Sequence, residues 1–336
     1  MTAYHPGRVT CLLGAMLMVA ATATGTEDLT AAVHADWSSQ ESRKGRTTAD
    51  PAAIRDALDR LARLTADLRQ VAGAAALQEE IASLDRFRHR TSEVDKLDTP
   101  ARTALYREIR FAVRSAAFKN PCLAGRPILF LKQRRFVAQM LHEYLGYYYN
   151  YGDLAGGGVC VLEEPGRSFR VRELTAGRLP RGAYTTLSLS FDAKTALFAF
   201  AEVRHVPRPH GRVSDWTKLP PAHEVIDELN YDSPQRSCFH IFAIGSDGEN
   251  LRQLTHGSED DFDPCPLPDG GLAFMSTRRG GFGRCHNIWE PLPAYTLHRM
   301  DGSGDNIERL SCHETNEWHP SVLNDGRIVY TRWDYV

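Results

Sequence analysis

The feature that most constrains this chain is a gapless repeat in its C-terminal half. Residues 240–274 align with residues 296–330 after a shift of 56 positions. Seven positions are identical in the two copies: Gly248 and Gly304, Asn250 and Asn306, Leu254 and Leu310, Pro264 and Pro320, Leu267 and Leu323, Asp269 and Asp325, Gly270 and Gly326. A repeat of this length predicts a supersecondary unit that stacks on copies of itself, because a single unit cannot bury its own apolar face.

The residues of the repeat indicate short strands joined by tight turns. Asp247-Gly248 and Asp269-Gly270 are turn pairs in which glycine supplies the positive φ of a hairpin. Leu254-Thr255 ends the strand between these turns, and Leu272-Ala273-Phe274 forms the strand that follows them. Radial stacking of several such sheets would cover both faces of each, which predicts a β-propeller.

Alternating apolar residues extend the predicted β region toward the N-terminus. Short runs bounded by Gly, Pro or Asp occur at Ile128–Leu131, Val159–Leu162, Leu187–Phe191 and Ala196–Phe200. Glu173-Leu174-Thr175 and Ser190-Phe191-Asp192-Ala193-Lys194 form a weaker third copy of the repeat. The predicted fold class is mainly β, an incomplete propeller of about three blades over residues 120–336 that follows an α-helical N-terminal region.

The N-terminus is typical of a secretion signal. Residues 11–21 are apolar and uncharged, and Ala21-Thr22-Ala23 has the small-residue pattern that signal peptidase cleaves. We therefore predict a signal peptide over residues 1–23, export to the periplasm or the extracellular space, and no membrane span after cleavage. Residues 24–49 are rich in small and polar residues and predict a flexible leader.

Residues 50–119 predict a helical region. Asp50 suits an N-cap and Pro51 the first helical position, and leucines and isoleucines then recur at helical spacing as far as Leu84. Gly73 is placed to bend or divide this segment. A second helix is predicted to start at Thr99-Pro100 and to end near Phe118.

Charge and motifs exclude several classes of function. A formal net charge of -2 argues against a nucleic-acid binder, which would need a basic surface for phosphates. Gly156-Gly157-Gly158 lacks the Gly-Lys-Ser/Thr ending of a phosphate loop and predicts a turn. The sequence contains neither a Gly-x-Ser-x-Gly elbow nor a His-Glu-x-x-His motif, so no catalytic residue is predicted.

The order of the repeat landmarks resembles that of TolB-like six-bladed propellers. It is still more similar to the middle, propeller domain of the hydrazine synthase alpha subunit. The segments that carry this resemblance are 128–132, 156–159, 189–192, 251–255, 261–265, 267–270, 316–322 and 329–333. The resemblance covers about residues 120–336, and it implies a six-bladed ring and a relative that is a multihaem redox enzyme.

Two departures from that family alter the expectation. Covalent haem needs Cys-x-x-Cys-His, whereas Phe282 and Arg309 stand where the first cysteine would precede Cys285-His286 and Cys312-His313. We therefore predict no covalent haem. About three blades stand where six are implied, so we expect either a fragment of a longer protein or a partner chain that closes the ring.

Cysteine and histidine side chains provide candidate metal ligands. Cys285, His286, Cys312 and His319 have the soft donors that zinc or copper prefers. Their spacing does not match a zinc finger, and a disulfide between Cys265 and Cys285 is the alternative that we favour. Neither zinc nor calcium is excluded, and no cofactor is predicted.

Charged and aromatic residues of the repeat provide candidate ligand-binding groups. Asp260, Asp261 and Asp263 form a predicted acidic loop, whose carboxylates would bind calcium or, as we favour, cap backbone N–H groups. The basic, glycine-rich segment 278–284 would bind an anionic group or simply connect two blades. The candidate binding residues are Asp261, Asp263, Arg278, Arg279, Glu317, Trp318 and Arg332.

These patterns favour an exported propeller that binds a protein or a small ligand on one rim. The alternative is a subunit or fragment of a redox enzyme similar to hydrazine synthase, whose cofactor sites lie outside this chain. That alternative depends on the resemblance alone, and a shared fold is weak evidence for shared chemistry.

Overall fold

The computed structural model describes residues 26–133, 156–204, 237–283 and 293–333. They belong to two compact units. One contains the chain as far as Arg126 together with Glu164–Arg170, and the other contains Pro127–Glu163 and Val171–Val336. The predicted signal peptide lies outside the described residues. Among the helices that are described, none combines the length and apolarity needed to cross a bilayer.

Helices form the first unit. Those that the structure describes are α1 (Thr26–Ser42), α2 (Pro51–Ala72), α3 (Gln78–Ser92) and α4 (Thr99–Phe118). The predicted start of α2 is confirmed, since the Asp50 side chain accepts the N–H of Ala52 and Pro51 is the first helical residue. Gly73, with φ 80°, ends α2 and so divides the apolar stripe as expected.

Helix α1 replaces most of the flexible leader that we predicted over residues 24–49. The Trp37 side chain is buried, and its ring lies edge-on to Tyr106 and Phe111 of α4. Glu41 is also buried, where it accepts a 3.0 Å hydrogen bond from the Tyr106 hydroxyl and pairs with Arg46. Sequence periodicity missed this helix because its buried face depends on one tryptophan and one glutamate rather than on an apolar stripe.

The second unit consists of antiparallel sheets, which we number as blades in chain order. The first blade consists of β1 (Ile128–Gln133), β2 (Gly157–Leu162) and β3 (Val171–Glu173), and the second of β4 (Gly182–Leu189), β5 (Thr195–Glu202), β6 (His240–Gly245) and β7 (Arg252–Gln253). The third blade consists of β8 (Asp261–Pro266), β9 (Leu272–Ser276), β10 (Thr296–Met300) and β11 (Glu308–Arg309). The fourth consists of β12 (Glu317–Val322) and β13 (Ile328–Arg332). Within each blade, consecutive strands are neighbours.

The sequence repeat and the blade are out of phase. The 56-residue shift places β6–β9 on β10–β13 strand for strand. However, β6 and β7 end the second blade, whereas β8 and β9 begin the third. Each copy therefore joins the outer half of one blade to the inner half of the next, which corrects the view that the two copies are themselves neighbouring blades.

Apolar side chains fill the spaces between successive blades. Between the second and third blades, Leu197 and Ile241 pack with Leu254, Leu272 and Phe274. A separate cluster joins the third blade to Val322, Ile328 and Tyr330 of the fourth. The unit is thus an incomplete β-propeller, and the predicted fold class is confirmed, although the described strands belong to four blades rather than about three.

A hydroxyl-bearing residue closes the outer strand of each of the first three blades. Thr175 Oγ1 accepts the N–H of Val159 at 3.1 Å, and Thr255 Oγ1 accepts that of Ile241 at 2.9 Å. Ser311 Oγ accepts the N–H of Leu297 at 2.9 Å in the same way. The Leu-Thr/Ser landmark of the sequence therefore ties the last strand of a blade to the strand before it.

Candidate functional site

The innermost strand of each of the last three blades has a β-bulge at the same place. The register shifts within β4, β8 and β12 next to Thr186, Asp263 and His319, whose φ angles are 44°, 52° and 52°. Such angles are uncommon for residues other than glycine and costly for β-branched threonine, at about 1–3 kcal/mol for each residue. Strain that recurs at one position points to a function for that position.

A chain of hydrogen bonds joins the three bulges. Asp263 donates its backbone N–H to Thr186 Oγ1 at 3.1 Å. His319 donates its backbone N–H to Asp263 Oδ2 at 3.0 Å. The side chains of Thr186 and Asp263 thus each hold the backbone of the next blade, which brings the three bulges together.

The bulges line a cavity of about 380 Å³ between the inner strands. Its walls consist of four successive residues from each strand, 186–189, 263–266 and 319–322, together with Phe191. The polar residues of the bulges are followed, three positions farther along each strand, by Leu189, Pro266 and Val322. The cavity therefore combines a polar region with an apolar one, as small-molecule sites commonly do.

Asp263 is the acidic group of this cavity. Its residue is only 7% exposed. Burial raises the pKa of its carboxyl above the ordinary value, although the His319 N–H and the nearby His319 ring offset part of that rise. Among the described residues, no lysine or arginine forms an ion pair with it. Asp263 is thus a buried carboxyl group whose burial outweighs the stabilisation that His319 gives to its charge.

Asp261, two residues earlier, is in the opposite situation. It is fully buried, and Arg278 donates to both of its oxygens, at 3.0 Å to Oδ1 and 2.6 Å to Oδ2. Ser276 donates to Oδ1 at 2.6 Å, and His240 Nδ1 lies 3.8 Å from Oδ2. Burial alone would raise the pKa of Asp261, but these neighbours outweigh burial and lower it. The predicted ligand residues Asp261 and Arg278 therefore bind each other.

The predicted acidic loop proves to be the start of strand β8. Asp260, the residue before this strand, accepts the N–H of Phe239 at 2.8 Å, which is the capping role that we favoured for this group. Its counterpart Asn316 accepts the N–H of Tyr295 at 2.9 Å.

Four further candidates lie away from the cavity. Glu317 accepts the N–H of Leu297 at 3.0 Å and a hydrogen bond from Ser311. The Trp318 ring lies 6.5 Å from that of Trp333, and Arg332 stands opposite Glu317 in the β12–β13 register. Arg279 donates to the carbonyl of Gly280 at 3.3 Å.

The candidate metal ligands are only partly described. Cys285 and His286 lie outside the described residues, so their metal site and the Cys265–Cys285 disulfide stay predictions. Cys312 is exposed, and His319 belongs to the cavity. In the described part of the chain, no three His, Cys, Asp or Glu residues are grouped closely enough to hold a metal ion. Cys265 lines the cavity, and burial raises the pKa of its thiol.

Sequence reasoning missed Thr186, although a signal for it exists. In the two clear copies, the bulge residue stands six positions before the turn aspartate: Asp263 before Asp269, and His319 before Asp325. The same count from Asp192 leads to Thr186. Thr186 was missed because the alternating pattern of a strand does not predict a β-bulge.

Comparison with known proteins gives weak likenesses. Neither a protein-family model nor a curated protein matches the sequence. Hydrazine synthase from Kuenenia stuttgartiensis is 16% identical with a TM-score of 0.40, over 61% of this chain and 27% of that one. A protein assigned as TolB from Agrobacterium tumefaciens is 18% identical with a TM-score of 0.30, over 49% of this chain and 41% of that one. TolB from Acinetobacter baumannii is 11% identical with a TM-score of 0.24, over 70% of this chain and 54% of that one. The chain thus spans between about a quarter and about half of these proteins.

Proposed function

We propose that this protein is a non-catalytic binding module whose ligand lies in the cavity between the inner strands. The observation that carries the proposal is the row of three strained bulges, which places Thr186, Asp263 and His319 around one cavity. Bulges are frequent beside binding sites because they redirect side chains that would otherwise follow the strand.

The ligand that fits this cavity is a small organic cation with an apolar body. A buried carboxylate is costly unless a positive charge compensates it, so an ammonium group beside Asp263 would recover that cost. The hydroxyl of Thr186 offers a further hydrogen-bond partner. Leu189, Pro266 and Val322 would contact the apolar part of the ligand.

Titration calorimetry with three ligands of similar shape tests the proposal. We expect benzylammonium to bind more tightly than neutral benzyl alcohol and anionic benzoate. Asp263→Asn should weaken benzylammonium binding by about ten- to a hundredfold, since one charge-assisted hydrogen bond contributes about 1.5–3 kcal/mol. The matched control is Asp305→Asn, which removes an exposed carboxylate that does not line the cavity.

The affinity for benzylammonium should also depend on pH. Only the ionised carboxylate attracts the cation, and the pKa of Asp263 is raised. Affinity should therefore fall as the pH falls through that pKa, and Asp263→Asn should abolish this dependence. Equal binding of benzoate and benzylammonium, or an unchanged affinity in Asp263→Asn, would refute the proposed function.

We also propose that the protein is exported. The apolar residues 11–21 and the Ala21-Thr22-Ala23 cleavage pattern support this. N-terminal sequencing of the protein recovered from an expressing cell should begin close to residue 24. A mature protein that still begins at Met1 would contradict the proposal.

A further inference from the structure

Three equivalent turns join the first two strands of the second, third and fourth blades. In each turn an aspartate carboxylate accepts the backbone N–H of the second residue after it, at 3.1 Å for Lys194, 2.9 Å for Gly271 and 3.1 Å for Arg327. The residue between the two has a positive φ in every turn, and Ala193, with φ 58°, stands where the other turns have glycine. The three turns therefore share one backbone conformation, and their equivalent positions can be compared directly.

One of these turns carries a large aromatic side chain. Phe191 occupies the position that Pro268 and Asn324 have in the other two turns. The wall of the cavity between the inner strands includes Phe191 but neither Pro268 nor Asn324. Phe191 is also 71% exposed, so this ring borders the cavity from the solvent side and is not part of the core between blades.

Hydrogen bonds on both sides of Phe191 fix the conformation of its turn. Ser190 Oγ donates to Asp192 Oδ1 at 2.7 Å and accepts the N–H of Thr195 at 2.9 Å. The backbone N–H of Ala193 donates to the Ser190 carbonyl at 2.8 Å. A side chain on a fixed backbone loses less conformational freedom when a ligand packs against it. Phe191 is therefore a preorganised contact group at the mouth of the cavity.

The distance between the bulges and Phe191 sets the length of a ligand that contacts both. Asp263 lies at the level of Thr186, to which its N–H donates. Three residues of β4 separate Thr186 from Leu189, which is about 10 Å at a rise of about 3.3 Å per residue, and Phe191 follows just beyond. Benzylammonium has a single carbon between its nitrogen and its ring, so it is too short to contact both ends.

We infer that Phe191 is a specificity-determining residue of this cavity, which selects an elongated cation with an aromatic ring at the end remote from its ammonium group. The ammonium group lies beside Asp263, the ring packs against Phe191, and the apolar wall between them contacts the alkyl chain. An aromatic pair of this kind strengthens binding about two- to tenfold beyond the effect of buried area. The inference rests on the proposed function, to which it adds the length of the ligand and the aromatic character of its far end.

Titration calorimetry of the full-length protein with 4-phenylbutylammonium, 4-cyclohexylbutylammonium and benzylammonium tests this inference. The phenylbutyl cation should bind at least about tenfold more tightly than benzylammonium, because it buries three further methylene groups at about fourfold each. Phe191→Leu should weaken binding of the phenylbutyl cation about two- to tenfold and leave the affinities for the other two cations unchanged. Phe191→Tyr should bind all three as the wild type does.

The matched control is Phe169→Leu, which removes an exposed aromatic ring that does not line the cavity and should change no affinity. Because Phe191 is largely exposed, Phe191→Leu should also leave thermal unfolding unchanged. Equal affinity of wild type and Phe191→Leu for the phenylbutyl cation would overturn the inference, and so would weaker binding of that cation than of benzylammonium. The proposed function would survive either result if Asp263→Asn still weakened benzylammonium binding. Absence of binding by all three cations would refute the proposed function and the inference together.

Discussion

Two copies of one repeat can be compared within this molecule, one covered and one open. We call residues 240–276 the covered copy and residues 296–332 the open copy, because among the described strands β9 has neighbours on both edges whereas β13 pairs with β12. Both keep the same strands, the same turn glycines and the same hydroxyl contact. They differ in burial: Phe274 is fully buried, whereas its counterpart Tyr330 is partly exposed. Local structure is therefore set within the copy, and burial is set by the next blade.

The largest difference between the copies should appear at this aromatic pair. Phe274→Ala should lower the free energy of unfolding by about 3–5 kcal/mol, because it leaves a cavity in a closed cluster. Tyr330→Ala should cost less than half as much, since water already reaches that side chain. Urea unfolding followed by fluorescence measures both values. Equal costs would mean that β13 is covered in solution.

The next largest difference in unfolding free energy is expected between the equivalent acidic residues Asp261 and Glu317. Asp261→Asn should cost about 3 kcal/mol, because it leaves the Arg278 guanidinium without its buried counter-charge. Glu317→Gln should cost about 1 kcal/mol or less, since the amide oxygen can still accept the Leu297 N–H. A similar cost for both would show that the ion pair contributes no more than a neutral hydrogen bond.

Asp261 also predicts how stability depends on pH. Its pKa in the folded protein lies below the ordinary value of an aspartate, so the folded state binds this proton less readily than the unfolded state. Its contribution to stability is therefore complete above the pKa of the unfolded state and is lost as the pH falls through the folded pKa. The raised pKa of Asp263 acts in the opposite sense and lowers stability as the pH rises. Acid unfolding of Asp261→Asn should show a flatter acid limb than that of the wild type.

These contrasts also show what the sequence could and could not predict. Strands, turns and the propeller class follow from the repeat, because Asp-Gly turns and alternating residues act locally. The sequence repeat does not show where one blade ends and the next begins, because that boundary depends on which strands pair in the tertiary structure. Asp261 and Asp263 look alike in sequence, yet the structure pairs Asp261 with Arg278 and places Asp263 in the wall of the cavity.

The hydroxyl that ties the outer strands gives a smaller difference. Thr255→Val should cost about 1–2 kcal/mol, because the buried N–H of Ile241 loses its acceptor while the side-chain shape is kept. Ser311→Ala should cost about 0.5 kcal/mol, since the Leu297 N–H also reaches Glu317 Oε2 at 3.0 Å. The double variant Ser311→Ala with Glu317→Ala should therefore cost more than the sum of the two single changes, which a double-mutant cycle measures.

The smallest effect is expected at the leucine that the open copy leaves uncovered. Leu310→Ala should change the free energy of unfolding by no more than about 0.5 kcal/mol, as at other exposed positions, whereas Leu254→Ala should cost about 2–5 kcal/mol. A large loss of stability from Leu310→Ala would mean that Leu310 is already buried in solution, and the distinction between the two copies would disappear.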